Sequence, residues 1–263
     1  MTVLRPDMQQ IHLLLDIGNS RVKMALTRPE AFLGKAPPLR SADLTAEGLL
    51  ASFSTLLAAH HVEAKDLAGA LLCSVVPNVE SLVFETIAPL LSVPLHAVPK
   101  HIPVPLTTSY LTPQTLGSDR LVEAYAARKL FPASKLIVVD LGTAITIDCV
   151  ENASFLGGLI LPGPSLARQA LARATAQLPE VTLSQEMAPF SPGQSTEACI
   201  AIGLAWGLRV LVRGLVEESR RYLGGQATVV GTGGYAQSFQ DLFDEVRPDL
   251  VLEGLRLLSS DRS

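Results

Sequence analysis

Apolar and polar positions change rhythm several times along the chain, and each rhythm predicts an element. Apolar runs bounded by Gly, Pro or Asn predict strands at 11–17, 22–26 and 69–76. Between them, Leu49, Leu50, Phe53, Leu56 and Leu57 recur at helical spacing. A proline-rich stretch, "VPKHIPVPLTTSYLTP" at 98–113, breaks the pattern and sets the expected boundary between a domain of residues 1–113 and one of 114–263. Beyond it the spacing predicts a helix from about Leu121 to Leu130, then strands at 136–141, 144–150 and 155–161. Helices follow at 165–177 and 196–222, and a last strand, "ATVVG", leads into a helix near the C-terminus.

The two halves share a plan. "HLLLDIGNSRVKMAL" and "KLIVVDLGTAITIDCV" each run through apolar residues to Asp-x-Gly and back into alternating strand. Asp16, Gly18, Asn19 and Ser20 hold the places taken 124 residues later by Asp140, Gly142, Thr143 and Ala144. A third strand and helices follow in both halves, which implies a duplicated α/β fold. Glycine lets a backbone approach phosphates, Ser20 and Thr143 can donate to them, and turn amides form an anion nest. A pair of such loops suits a nucleoside triphosphate. Ordinary turns remain the plain alternative for either loop alone, because Asp and Gly are common there. No G-x-x-x-x-G-K-[ST] stands in the chain, so a Walker loop is excluded as the phosphate cradle.

Composition narrows the class further. With 48% apolar and 17% charged residues, 263 residues readily build a sizeable core. A net charge of -4 speaks against a nucleic-acid surface. Cys73, Cys149 and Cys199 lie far apart without CxxC spacing, which predicts a reducing, cytoplasmic setting with neither disulfides nor zinc. "MTVLRPDMQQ" reads as a polar lead-in, not a signal peptide. The most apolar run, Ala198–Leu208, falls short of the ~20 residues that cross a bilayer, so no membrane partner is expected. Its Gly203 and Gly207 form a GxxxG, read as a helix that approaches a neighbour closely. The five histidines show no ligand spacing.

Taken in order, "DIGNSRVKMAL", "LGSDR", "DLGTAITID", "FLGGLILPG" and "GTGG" resemble the motif set of the type III pantothenate kinases over residues 11–236. The resemblance implies duplicated actin-like (ribonuclease H-like) domains, with mixed sheets flanked by helices and an ATP cleft between them. It implies phosphorylation of pantothenate to 4'-phosphopantothenate, the first step of coenzyme A biosynthesis. By the same resemblance, Asp16, Ile17, Gly18, Asn19, Ser20, Arg21, Val22 and Lys23 form the first ATP phosphate loop, and Thr143 contacts ATP from the second. Ser20-Arg21 stands where the family usually has Thr-Asn, which keeps a hydroxyl for phosphate. Tyr110, Gly117, Ser118, Arg120 and Thr196 are the implied pantothenate contacts, and Asp119 is the implied catalytic base. Asp140 is the implied ligand of a monovalent cation, K+ or NH4+; Mg2+ accompanies ATP. A homodimer is expected from the family's usual state and from the apolar helix carrying Gly203, Trp206 and Gly207.

Plainer roles stand beside these. Asp119 precedes a helix and caps it in the bland reading, as Thr196 does for the long helix. Arg120 is otherwise a solvated charge, and Tyr110 a cover for apolar surface. "ATVVGTGGYAQ" satisfies G-x-G-x-x-A at Gly231, Gly233 and Ala236, with Glu253 further on as a dinucleotide fold would want. Too little chain follows Glu253 to supply such a fold's remaining strands, so we read these glycines as an adenosine-side loop. A rival function is a non-catalytic, nucleotide-binding regulatory protein on the same fold, which need not keep Asp119. Another is a kinase with a different acceptor.

Overall fold

The computed structural model describes residues 10–184 and 189–261. The polar lead-in at 1–10 lies outside them, apart from its last residue, Gln10. The chain forms two compact units. One comprises residues through Pro105, Gln114–Lys129 and the segment from Val251 on; the other comprises Leu106–Pro113 and Leu130–Leu250.

In the first unit, β1 (His12–Ile17) and β2 (Arg21–Thr27) pair as an antiparallel hairpin. β3 (Phe32–Lys35) and β4 (Leu39–Arg40) both pair with β2. On the other side of β1, β5 (Gly69–Ser74) and then β6 (Leu95–Val98) add in parallel, giving the order β3-β2-β1-β5-β6. Parallel neighbours need crossovers, and α1 (Ala46–Ala59) and α2 (Pro77–Thr86) supply them. Thr45 starts α1 by accepting from the Gly48 amide, and the helix buries Leu49, Phe53, Leu56 and Leu57 against Leu13, Leu15, Met24 and Leu72. β7 (Thr107–Thr108) comes next in the chain, followed by α3 (Ser118–Leu130), which belongs to the first unit.

The second unit repeats this wiring. β8 (Lys135–Leu141), β9 (Ala144–Glu151) and β10 (Ser154–Pro162) form an antiparallel meander. β11 (Thr228–Thr232) and β12 (Glu245–Val246) add in parallel beside β8. The order β10-β9-β8-β11-β12 matches that of the first sheet strand for strand, with β7 appended beside β10. α4 (Pro164–Ala174) and α5 (Thr196–Tyr222) occupy the long crossover. α5 sets Leu208, Val212 and Val216 against Ile137, Val139, Ile145 and Ile147. A last helix, α6 (Leu250–Ser260), follows β12 as α3, with β7 intervening, follows β6. The duplicated α/β plan read from the two Asp-x-Gly hairpins is therefore present in the strand order itself.

In the compact units, α3 groups with the residues through Pro105. α3 closes the first repeat, and α6, the last helix of the second repeat, packs in the same compact unit. Gly254 on α6 permits this, since a Cβ there would lie 2.6 Å from Val122 Cγ1 and 2.7 Å from the Val122 carbonyl. Tyr125 Oη donates to Asp261 Oδ2 at 2.7 Å, and Lys129 Nζ reaches the same oxygen at 2.8 Å.

Candidate active site

In each unit the Asp-x-Gly turn sits where β1 or β8 ends, at the carboxyl edge of the parallel strands, where α/β sheets bind ligands. In the first unit, Asp16 and Lys23 are cross-strand partners, with Nζ 3.7 Å from Oδ2. The turn between them is shaped by the Gly18 amide donating to the Arg21 carbonyl at 3.0 Å. Ser41 fixes it from outside: its hydroxyl donates to Gly18 O at 2.7 Å and its amide to Ser20 O at 3.1 Å. Asn19, Ser20 and Arg21 are left exposed at the tip.

The parallel register places Cys73 beside Asp16 and Ser74 beside Ile17. Onto this end of β5 the start of α3 is tied, because Ser118 Oγ donates to the Ser74 carbonyl at 2.6 Å. Asp119 is the second residue of α3, so it is not the helix cap, and its Oδ1 accepts from the Arg120 amide at 2.8 Å. Gly117 is needed next to it, since a Cβ there would lie 2.5 Å from that oxygen. Burial pushes the Asp119 carboxyl above its usual range; the Arg120 amide and guanidinium pull part of the way back. Arg120 is only 5% exposed, which removes the solvated-charge reading. The Cys73 thiol is pushed well up, first by its burial and then by the charges of Asp16, Asp119 and Glu123. The Ser118–Ser74 bond thus sets the start of α3 one strand over from the Asp16 turn.

The second unit builds a tighter turn. The Gly142 amide donates to Ala144 O at 3.1 Å, the Gly163 amide to Thr143 O at 3.0 Å, and the Tyr235 amide to Leu141 O at 3.1 Å. Gly233 has φ 89°, a left-handed conformation open to glycine, and a Cβ there would overlap Asp140 Oδ1. A Cβ on Gly142 would lie 3.2 Å from the other carboxylate oxygen. The Gly-rich loop of "GTGG", read from sequence as an adenosine-side loop, thus packs directly on Asp140. Among the described residues, β11 is followed by a short 3-10 helix, β12 and α6, with no further strand of the kind a dinucleotide domain needs.

Directly across β9, Thr146 is the cross-strand partner of Asp140. It is 8% exposed, and its buried Oγ1 has no hydrogen-bond partner. Tyr110 follows β7, its ring 6.2 Å from that of Phe155. Thr196 opens α5 with its side chain exposed, while Ser195 serves as the cap by accepting from the Ala198 amide at 3.2 Å.

Among the described residues no group of three or more His, Cys, Asp or Glu side chains is placed to hold a metal. Mg2+ is usually held by one or two carboxylates together with substrate phosphates. Asp16 and its neighbours fit that demand. Asp140 with a buried, partnerless hydroxyl opposite fits a larger, oxygen-seeking cation. Sequence reasoning missed Cys73, Glu123, Ser74 and Thr146, because their relevance comes from strand neighbours remote in the chain.

A sequence model of the type III pantothenate kinases matches residues 12–218. The type III pantothenate kinase of Desulfovibrio desulfuricans is 42% identical over 95% of this chain and 97% of its own. That of Lawsonia intracellularis is 34% identical over 97% of each chain. Among solved structures, a Baf family transcriptional activator from Campylobacter jejuni aligns with TM-score 0.58 at 20% identity, covering 95% of this chain and 98% of its own. An activator of 2-hydroxyisocaproyl-CoA dehydratase from Clostridium difficile, with bound ADPNP, aligns with TM-score 0.56 at 14% identity, covering 96% and 95%. These likenesses carry the fold, which is that of the actin-like ATPases and sugar kinases. With its duplicated sheets, its paired Asp-x-Gly turns and relatives matched almost end to end, the chain belongs to the type III pantothenate kinase family.

Proposed function

We propose that this chain transfers the γ-phosphoryl group of ATP to the 4'-hydroxyl of pantothenate, the entry reaction of coenzyme A biosynthesis. The observation that carries the reading is the half-buried Asp119 carboxylate, braced on the first turn of α3 beside the Asp16 turn. A carboxylate with a raised proton affinity accepts a proton from an alcohol more readily near neutral pH than an ordinary one. As the substrate oxygen bonds to the γ-phosphorus and the bond to ADP breaks, Asp119 takes the hydroxyl proton. Phosphoryl transfer asks otherwise for positioning and for charge to offset the equatorial oxygens.

Asp16 to Lys23 would cradle the phosphates, with Ser20 and the turn amides donating and Lys23 adding positive charge. Thr143 would donate to them as well. Gly117, Ser118 and Arg120 would meet pantothenate, together with Tyr110 and Thr196. Because the Ser118 hydroxyl is already donated to Ser74, its contribution to substrate would come from its backbone. Mg2+, held by ATP and Asp16, would supply neutralising charge. Asp140 would hold K+ or NH4+, since a carboxylate about 4 Å from a phosphate is repelled by roughly 4 kcal/mol at an effective dielectric near 20.

We read the protein as cytoplasmic and dimeric. α5 is long and apolar enough to cross a membrane, being longer than its apolar run alone. One of its faces packs on the second sheet, yet Val210 stays 61% exposed and Leu211 is also exposed. A second copy would cover that face without a bilayer. Purified protein given ATP, Mg2+, K+ and pantothenate should form ADP and phosphopantothenate in equal amounts. ADP formation indifferent to pantothenate would overturn the acceptor.

A further inference from the structure

The fully folded second sheet keeps one polar side chain where an apolar one would serve better. Thr146 lies in a strand whose buried neighbours Ile145 and Ile147 face α5, and its own side chain points to the opposite face. Valine would fill the same strand position with the same branching. Instead there is a hydroxyl, buried and without a partner, which forfeits its hydration for nothing in return.

Its surroundings suggest the return. Thr146 is directly opposite Asp140, and Asp140 is flanked on its other side by Thr232 of β11. Aligned residues on neighbouring strands point to one face, so hydroxyl, carboxylate and hydroxyl form a row across three strands. Thr232 is likewise buried. Two residues further along β9, on the same face, stands Asp148, a fully buried carboxylate. Gly142 and Gly233 keep Cβ atoms away from both Asp140 oxygens.

We propose that Thr146 Oγ1 is a ligand, together with the Asp140 carboxylate, of the monovalent cation. The inference rests on the reading of Asp140 as that cation's anchor and adds the residue that completes its protein side. A hydroxyl offers a neutral lone pair, so it lengthens the oxygen shell without adding charge. Such a shell, spread over adjacent strands, suits a large ion better than Mg2+, which demands close octahedral geometry and sheds water reluctantly. Thr232 is placed to contribute in the same way.

The test is thermal unfolding of the full chain without nucleotide, in KCl, NaCl and N-methylglucamine chloride at equal ionic strength. A ligand that binds only the folded state raises Tm with its concentration. Wild type should gain stability from K+, with a defined midpoint. Thr146→Val should equal or exceed wild type in N-methylglucamine, having lost an unsatisfied hydroxyl, and its K+ midpoint should rise by about tenfold or more. Thr146→Ser should keep the wild-type midpoint, and Thr146→Ala serves if the valine variant misfolds. A valine or alanine variant with an unchanged K+ midpoint, while Asp140→Asn has lost the response, would overturn Thr146 and leave Asp140 standing. The same Tm offset in all three salts would mean a bridging water and overturn it too. No K+ effect on wild type would remove the Asp140 reading itself.

Discussion

At the scale of single residues, Asp119 is the side chain proposed as the base, and its burial has a cost that can be measured. Its carboxyl binds a proton more tightly folded than unfolded. The ionised form therefore costs stability above the folded pKa, and that cost disappears as pH falls below the unfolded value of about 3.9. Asp119→Asn keeps an acceptor for the Arg120 amide while discarding the charge. We expect it to match or exceed wild-type stability at pH 8, with the difference closing towards pH 4. Turnover should fall by ~10²–10⁴, as for loss of a general base. An Asn variant that is both active and less stable would leave Asp119 a helix-start residue only. Wild-type kcat/KM should rise with pH up to an apparent pKa above the ordinary carboxylate range. Gly117→Ala tests the geometry: the added carbon displaces the base, so kcat should drop while the ATP KM holds. Much of this site was legible in sequence, since Asp16, Asp119 and Asp140 stand in short motifs. What escaped was whatever depends on a neighbour across a sheet. The crowding of Gly233 on Asp140, 93 positions away, and the orphaned Thr146 hydroxyl leave no local signature.

Among the elements, α3 is held at both ends. Ser118 ties its start to β5, while Tyr125 and Lys129 tie its far half to Asp261. The proposed base thus rides on a rod fixed at two points. Tyr125→Phe removes one of those bonds and should cost about 1 kcal/mol in chemical unfolding. Lys129 and Tyr125 hold the Asp261 carboxyl below its usual range, so this support is present above the unfolded pKa. It is lost as pH falls through the lower folded one. Tyr125→Phe and wild type should therefore converge in stability at strongly acid pH. Elements with clear periods were read well: α5 spans the expected 196–222, and the two hairpins stand where the apolar runs placed them. α2 and β6 were missed. Pro77 opens α2 directly behind an apolar strand, which hides the change of period, and β6 has four residues between prolines, too few to show any period. α3 starts at Ser118, three residues before the expected Leu121, because its first turn is polar.

For the whole molecule, duplication is stated by topology, with two sheets of matching strand order. The exposed apolar positions of α5 belong to this scale. Sedimentation at micromolar concentration should give about twice 28.0 kDa. Val210→Glu should shift that towards monomer while leaving the far-UV spectrum unchanged, because Val210 contributes little to its own core. A wild type that sediments as monomer would refute the covered-face reading.

The shared packing of α3 and α6 also has a consequence for the order in which the chain is made. A ribosome delivers every strand of the first unit, and the helix with the base, well before Val251 emerges. Until then Val122 has no Gly254 to pack on, and Tyr125 and Lys129 have no Asp261. A nascent chain stalled between Leu130 and Leu250 should therefore carry α3 unlatched and open to proteolysis. Protection should appear in one step as the final helix clears the exit tunnel, so that the earliest-made unit is the last to be sealed.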